Sequence, residues 1–166
     1  MIPLTEFRTL TVSAEEPADR TTAGAAMGAG DTLDLGSVDT TDEARDTPVR
    51  VFWWRVTDLR GAQEVTNIRV WVSDDGAYAG TNAWHLDITD TWTRHKSAVQ
   101  VTTGDPGTAP DAPPDTPNLE RIGGGPITGT GHDQTSRYLY VAGTIGVDET
   151  TGAKNGPRIT VTFDYH

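Results

Sequence analysis

The stretch RVFWWRV, Arg50 to Val56, sets two tryptophans side by side in a run of β-forming residues. Successive side chains of a strand point to opposite faces, so Trp53 and Trp54 cannot enter the same core. Such a strand either has apolar cover on both sides or leaves one tryptophan on the surface for a partner.

Strand-like runs rich in Val, Ile, Thr, Trp and Tyr recur at Glu6–Ser13, Thr32–Val38, Val49–Asp58, Val65–Ser73, Ala83–Thr89, Ser97–Thr102, Arg137–Gly146 and Arg158–Tyr165. Clusters of Gly, Pro, Asp and Asn separate them. About eight short strands without a helical period predict an all-β fold, an antiparallel β-sandwich of immunoglobulin-like or jelly-roll type with long loops. The length fits one domain, 1–166. The best helix candidate, AEEPADRTTAGAAMGAG, is broken by Pro17 and reads as loop with at most one turn.

Three segments are irregular: 14–30, the proline-dense 103–118 (TGDPGTAPDAPPDTPN), and 123–131 (GGGPITGTG), flexible by composition. Loops longer than about 12 to 15 residues are uncommon in compact domains unless functional or unstructured, which points to loops held by neighbouring subunits. The last two runs read as a half-buried antiparallel hairpin joined through VDETTGAKNGP, with Ile159, Val161, Phe163 and Tyr165 on one face of the final strand.

Pairing Val49–Asp58 with Val65–Ser73 through DLRGAQE unites Phe52, Trp54 and Val56 with Ile68, Val70 and Val72 as a core. The outer face then carries Trp53 and Arg55 beside Arg69 and Trp71, the four candidate interface residues. Tryptophan and arginine are the side chains most enriched at interface hot spots, and a guanidinium stacked on an indole adds about 0.5 to 2 kcal/mol. Three occupants of that face are possible: a partner protein, a long loop of the same chain such as the proline-rich one, or a sugar ring stacked on an aromatic platform.

The segment LGSVDTTDEARDTPVRVFWWRVTDLRGAQEVTNIRVWVSDDG, Leu35 to Gly76, resembles the immunoglobulin-like β-sandwich modules of tailed-virus structural proteins and bacterial surface proteins. The resemblance covers about a quarter of the chain. It implies a sandwich used for assembly or adhesion, and it carries over no catalytic residue.

Composition narrows the partners. The net charge of −11 argues against nucleic acid, which is bound by lysine and arginine displacing counterions. No apolar run is long enough for a membrane helix, and Met1–Ser13 lacks the pattern of a signal peptide. Cysteine is absent, which removes disulfides, thiolate ligands and cysteine nucleophiles. Aspartate dominates the acids, and Lys96 and Lys154 are the only lysines. That balance resembles proteins of salt-loving archaea, or of high-GC bacteria and their viruses; a plain acidic surface dispersed by self-repulsion accounts for it equally.

Catalytic and metal motifs are thin. His85 and Asp87 in WHLDITD share a strand face and offer ligands or an acid/base pair, but a solvated face is the simpler account. His132, Asp133 and Ser136 assemble a hydrolase set only on paper, without a nucleophile elbow. Asp74 and Asp75, with Asp87 or Asp90, are calcium candidates that lack the spacing of a calcium loop and suit a turn. GGGPITGTG lacks the Gly-Lys-Ser/Thr of a phosphate loop.

The expectation is therefore a non-enzymatic virion structural protein of a tailed virus, made in the host cytoplasm and acting without a cofactor. Capsid decoration comes first within that class; tail, baseplate and connector roles follow. Its partners would be major capsid or tail proteins and copies of itself, in symmetric assembly, with neither nucleic acid nor membrane. The alternative is a carbohydrate-binding or adhesion module with Trp53, Trp71 or Trp84 as platform; an enzyme would need His85, Asp87 and His132 to converge. If the acidic, lysine-poor surface reflects a high-salt host, thermal stability measured by circular dichroism will rise strongly with molar potassium chloride, and a flat or falling melting temperature refutes that origin.

Overall fold

The computed structural model describes residues 1–28, 31, 34–73, 78–102, 109–154 and 157–166. Eight strands, one short α-helix and one 3-10 turn (His132–Gln134) form among these residues: β1 (Leu4–Thr11), β2 (Ala25–Met27), β3 (Arg45–Asp46), β4 (Arg50–Asp58), β5 (Val65–Ser73), β6 (Asn82–Thr89), α1 (Ala98–Thr102), β7 (Tyr138–Ile145) and β8 (Arg158–Tyr165). All strand pairings are antiparallel, and the strands form two sheets. The fold is an all-β, sandwich-like one.

The larger sheet runs β2-β1-β4-β7, with β3 continuing the β4 side of β7 and β6 on its other side. The smaller sheet is β5 with β8. Phe52, Trp54, Leu139, Val141, Leu86 and Trp84 of the large sheet meet Ile68, Val70 and Val72 of the small one in the main core. A second core lies on the opposite face of the large sheet, where Val51, Trp53, Tyr138, Tyr140 and Ala142 pack against Ala98 and Val101 of α1, with Trp92 beside them.

Three expectations about pairing and element type change. β4 and β5 do not pair; each lies in a different sheet, so Trp53 and Arg55 never share a face with Arg69 and Trp71. β7 and β8 form no hairpin, because β7 bonds β4 and β6 while β8 bonds β5. The reason is in their residues. β7, YLYVAGTI, is apolar on both faces and suits the middle of a covered sheet, whereas β8, RITVTFDY, is apolar on one. Ser97–Thr102 is not a strand: Ala98–Thr102 is helical, with Ala98 and Val101 buried three positions apart. Of the run at 32–38, residues 32 and 33 lie outside the described ones, and Asp34–Val38 has no regular structure. β2 and β3 had no sequence signal, and β2 falls inside the segment expected to be loop.

Two local devices set the registers. In β5 the ladder shifts between Thr66 and Arg69, and Asn67 takes a φ of 51°. The extra residue lets Val65 and Ile68, three apart, both face the core, and asparagine tolerates the left-handed conformation. In β7, Gly143 pairs with Trp84 and lies under its ring, where a Cβ would stand 2.4 Å from the indole Cζ3. Gly143→Ala will therefore destabilise the protein by about 1 to 3 kcal/mol through overpacking, read as a lowered denaturation midpoint; an unchanged midpoint would show that Trp84 repacks freely.

Candidate functional site

Trp53 is 0 % exposed. The segment 14–24 lies over it, and its indole N–H donates to the Arg20 carbonyl at 2.8 Å. Arg8 stands opposite Trp53 on β1 and donates to the carbonyls of Ala23 (2.7 Å), Thr22 (2.8 Å) and Gly24 (2.9 Å). Glu6 lies between Arg8 and Arg55, with one carboxylate oxygen 3.0 Å from each guanidinium. Arg55 also donates to the Thr21 carbonyl at 3.0 Å. A guanidinium presents five donors in a rigid fork, which suits it to gathering successive carbonyls of an irregular segment. The tryptophan and arginine face of β4 thus binds the chain itself, through segment 14–24 rather than the proline-rich one. It also follows that this long loop is held from within the chain.

Beneath the segment is a polar set enclosed by rings. Arg20, 7 % exposed, donates to Thr135 Oγ1 at 2.9 Å and lies over the Tyr138 ring. The Tyr138 hydroxyl donates to Glu16 at 2.9 Å; burial pushes this phenol up to about 12, with the Arg20 hydrogen bond opposing. His132 Nδ1 accepts the Arg20 backbone N–H at 2.9 Å, which requires the tautomer protonated on Nε2. Farther along the same face, Lys96 pairs with Asp87 and lies 4.6 Å over the Tyr140 ring. Burial also raises the Tyr140 phenol. Its oxygen accepts the Thr93 N–H at 2.7 Å.

The candidate acid/base groups are not brought together. His85, expected on a solvated face, is 8 % exposed and within 2.9 Å of the Thr144 hydroxyl. Asp87 belongs to Lys96, and His132 to Arg20. The Ser136 hydroxyl donates to the Arg137 carbonyl and accepts the Trp54 N–H, both at 2.8 Å, so it is held as a structural link. Asp133 is exposed, and Asp90 accepts the Gly123 N–H at 3.2 Å beside Arg137. Trp84 is packed on Gly143 and edge-on to Tyr78, which removes it as a sugar platform. Asp74 and Asp75 lie outside the described residues. Among those described, no group of three or more His, Asp or Glu is placed to hold a metal ion, and no helix is long and apolar enough to cross a membrane. The glycine-rich 123–131 is a built turn: Gly123, Gly124 and Gly125 have φ of 79°, 87° and 81°, and Arg121 donates to the carbonyls of Pro126 and Asp133.

The outer face of the small sheet is the partly exposed one among the described residues, with Arg69 donating to the Asp115 carbonyl at 3.4 Å. Trp71 stands opposite Thr160 and Arg69 opposite Thr162, with Asp164 next along β8. Trp71 and Arg69 are half-buried, and Thr162 and Asp164 are exposed. The indole N–H of Trp71 has no hydrogen-bond partner among the described residues. Asn67, on the bulge, donates to Asp164 at 2.7 Å and so orients the carboxylate. This surface carries one aromatic ring, the guanidiniums of Arg69 and Arg158, hydroxyls and one carboxylate. Elsewhere a cleft of about 610 Å³ opens between Leu35–Val38 and the turn at 149–154. Glu149 on its wall is held well below the usual carboxylate range by the Gly80 N–H, Lys154 and Asn82, so its charge is spent on fixing the start of β6.

Arg8→Leu leaves the carbonyls of residues 22–24 without their donor. It will cost about 1 to 3 kcal/mol and speed proteolysis within segment 14–24, while β5 and β8 keep their protection in hydrogen exchange. Unchanged cleavage would show that the remaining bonds of Trp53, Arg55, Arg20 and Tyr138 suffice to hold the segment.

Comparison with known protein families, with curated proteins and with solved structures finds no match for this chain.

Proposed function

We propose that this chain is a non-enzymatic structural subunit of a tailed-virus particle that docks on neighbouring virion proteins through the outer face of its small sheet. Capsid decoration is the first assignment, with tail, baseplate or connector positions next. The observation that carries the reading is Trp71 beside Arg69 on the outer, partly exposed face of the small sheet, its indole N–H without a hydrogen-bond partner among the described residues. These two residue types are the ones that dominate protein interfaces, and docking would bury the ring and satisfy its donor. The net charge of −11 suits a subunit that must stay dispersed before assembly. The polar network on the far face is internally committed to holding segment 14–24.

A second reading has its own support. Trp71 is flanked across the ladder by Thr160 and Thr162, with Asp164 fixed by Asn67, and an aromatic ring bordered by hydroxyl and carboxylate groups is also a sugar-stacking platform. The two separate in one series. Hydroxyl-radical footprinting of Trp71 in the isolated chain and in purified particles will show oxidation in the first and protection in the second. Trp71→Ala will weaken particle binding about 30-fold or more, the hot-spot range. Glycan-dependent quenching of tryptophan fluorescence, lost in Trp71→Ala with particle binding intact, would instead establish the sugar platform. Equal oxidation of Trp71 in both states would remove this face from assembly.

A further inference from the structure

The two sheets have four edges, and the chain treats them differently. At one end of the large sheet β2 is only three residues long. At the other, the Trp84 carbonyl of β6 accepts the Ala109 N–H at 2.9 Å. The free side of β5 is covered along its length. Ile127 exchanges both backbone bonds with Val65. Leu119 donates to the Ile68 carbonyl, and the Pro110 carbonyl accepts from Val72. Between them the Asn118 side-chain amide both donates to and accepts from the backbone of Val70, at 2.8 Å each way, as a strand would.

β8 has no such cover among the described residues. From Ile159 to Tyr165 its backbone pairs with β5 alone there, and Asn67, which donates to the Asp164 carboxylate, is itself a β5 residue. It is eight residues long and holds no proline, the build of an edge open to pairing. Its inward side chains show the same. Ile159 and Val161 lie opposite Val72 and Val70, which are 0 % exposed, yet Ile159, Val161 and Phe163 are all only half-buried.

The sequence of this edge says what pairs with it. RITVTFD, Arg158 to Asp164, is symmetric in character about Val161. In an antiparallel pair of two copies centred there, Arg158 stands opposite Asp164 of the other copy, twice, and Thr160 opposite Thr162. On the inner face Ile159 meets Phe163, and Val161 meets itself. Opposed residues of an antiparallel ladder share a face, so every pair matches charge with opposite charge, hydroxyl with hydroxyl and apolar with apolar.

We propose that the occupant of the β8 edge is β8 of a second copy, in a two-fold antiparallel pairing that joins the two small sheets into one four-stranded sheet. The contact is isologous and closes on itself, so it yields a dimer and no fibre. It also completes the cover over Ile159, Val161 and Phe163. The two Trp71 faces become one surface, with the indoles roughly 15 Å apart from the spacings of strands and residues. A single strand pairing belongs to the small, reversible class of interfaces. The dimer follows from the edge alone and stands whether the Trp71 face binds a virion protein, a sugar or neither.

Sedimentation velocity of the full chain over about a hundredfold range of concentration tests it, since reversible pairing shifts with concentration by mass action. The expected result is a monomer–dimer equilibrium. Arg158→Asp or Asp164→Arg alone sets like charges opposite each other twice per dimer and will weaken it by about tenfold or more, while R158D/D164R together restores it. A chain monomeric throughout, a dimer indifferent to both single changes, or one the double change does not restore overturns the proposal. Should a single variant fail to fold, hydrogen exchange on the unaltered chain decides: slower exchange of β8 amides at high concentration supports the pairing, and exchange independent of concentration overturns it.

Discussion

The whole arrangement depends on two strands, β4 and β7, that are apolar on both faces. In an ordinary two-sheet sandwich one face of each sheet meets water. Here Trp54, Phe52, Leu139 and Val141 need one cover, and Trp53, Val51, Tyr138 and Tyr140 need another. The first is a sheet. The second is made from what the chain has left, namely segment 14–24, the stretch around Trp92 and one helical turn and a half at α1. Each large side chain buried in this way contributes about 1.5 to 3 kcal/mol, so the second cover is a major part of the stability rather than an accessory.

An irregular cover carries backbone groups that no ladder satisfies, and this is where the arginines enter. Arg8 and Arg55 point from the sheet into the carbonyls of residues 21–24, and Glu6 holds both guanidiniums in position. Charged side chains on the face of a buried sheet would ordinarily be expensive to desolvate. They are tolerated because their donors, all but the buried Arg55 Nε, meet a carbonyl dipole or the shared carboxylate. The same chemistry that marks hot spots between proteins works here between a sheet and its own loop, which explains why a tryptophan and arginine face in a sequence does not by itself name a foreign partner.

The elements with the clearest period were the legible ones. Val65–Ser73 and Arg158–Tyr165 have the bounds their alternation suggests, and Trp53 and Trp54 do occupy opposite faces. Partnership was not legible. Adjacent strands with compatible apolar faces look like a hairpin whether they pair or cross between sheets, and neither the seven residues 58–64 nor the eleven residues 147–157 announce which they do. Residues whose role depends on distant backbone also gave no signal. Nothing near Asn118 indicates that its amide will stand in for a strand beside Val70, and nothing near Arg8 indicates the carbonyls it gathers. Of the expected interface set, Arg69 and Trp71 lie on a partly exposed face because β5 alternates cleanly beyond its bulge, from Ile68 to Ser73. Trp53 and Arg55 do not, because the cover over them comes from 30 to 40 residues upstream.

The absence of tight hairpins among the strand pairs has a kinetic side. β4 joins β7 across Arg50 and Val141, and β5 joins β8 across Val65 and Tyr165. Almost every pairing thus closes a long loop before any contact rewards it, which slows folding and makes it all-or-none. β7 is the hinge of this delay, because β4 and β6 reach each other only through it. Until residues 138–145 arrive, a growing chain holds Trp53, Trp54 and Leu86 with no sheet to bury them. A newly made molecule is therefore most exposed to aggregation just before its last quarter is complete, when β7 and then β8 complete the two sheets in succession.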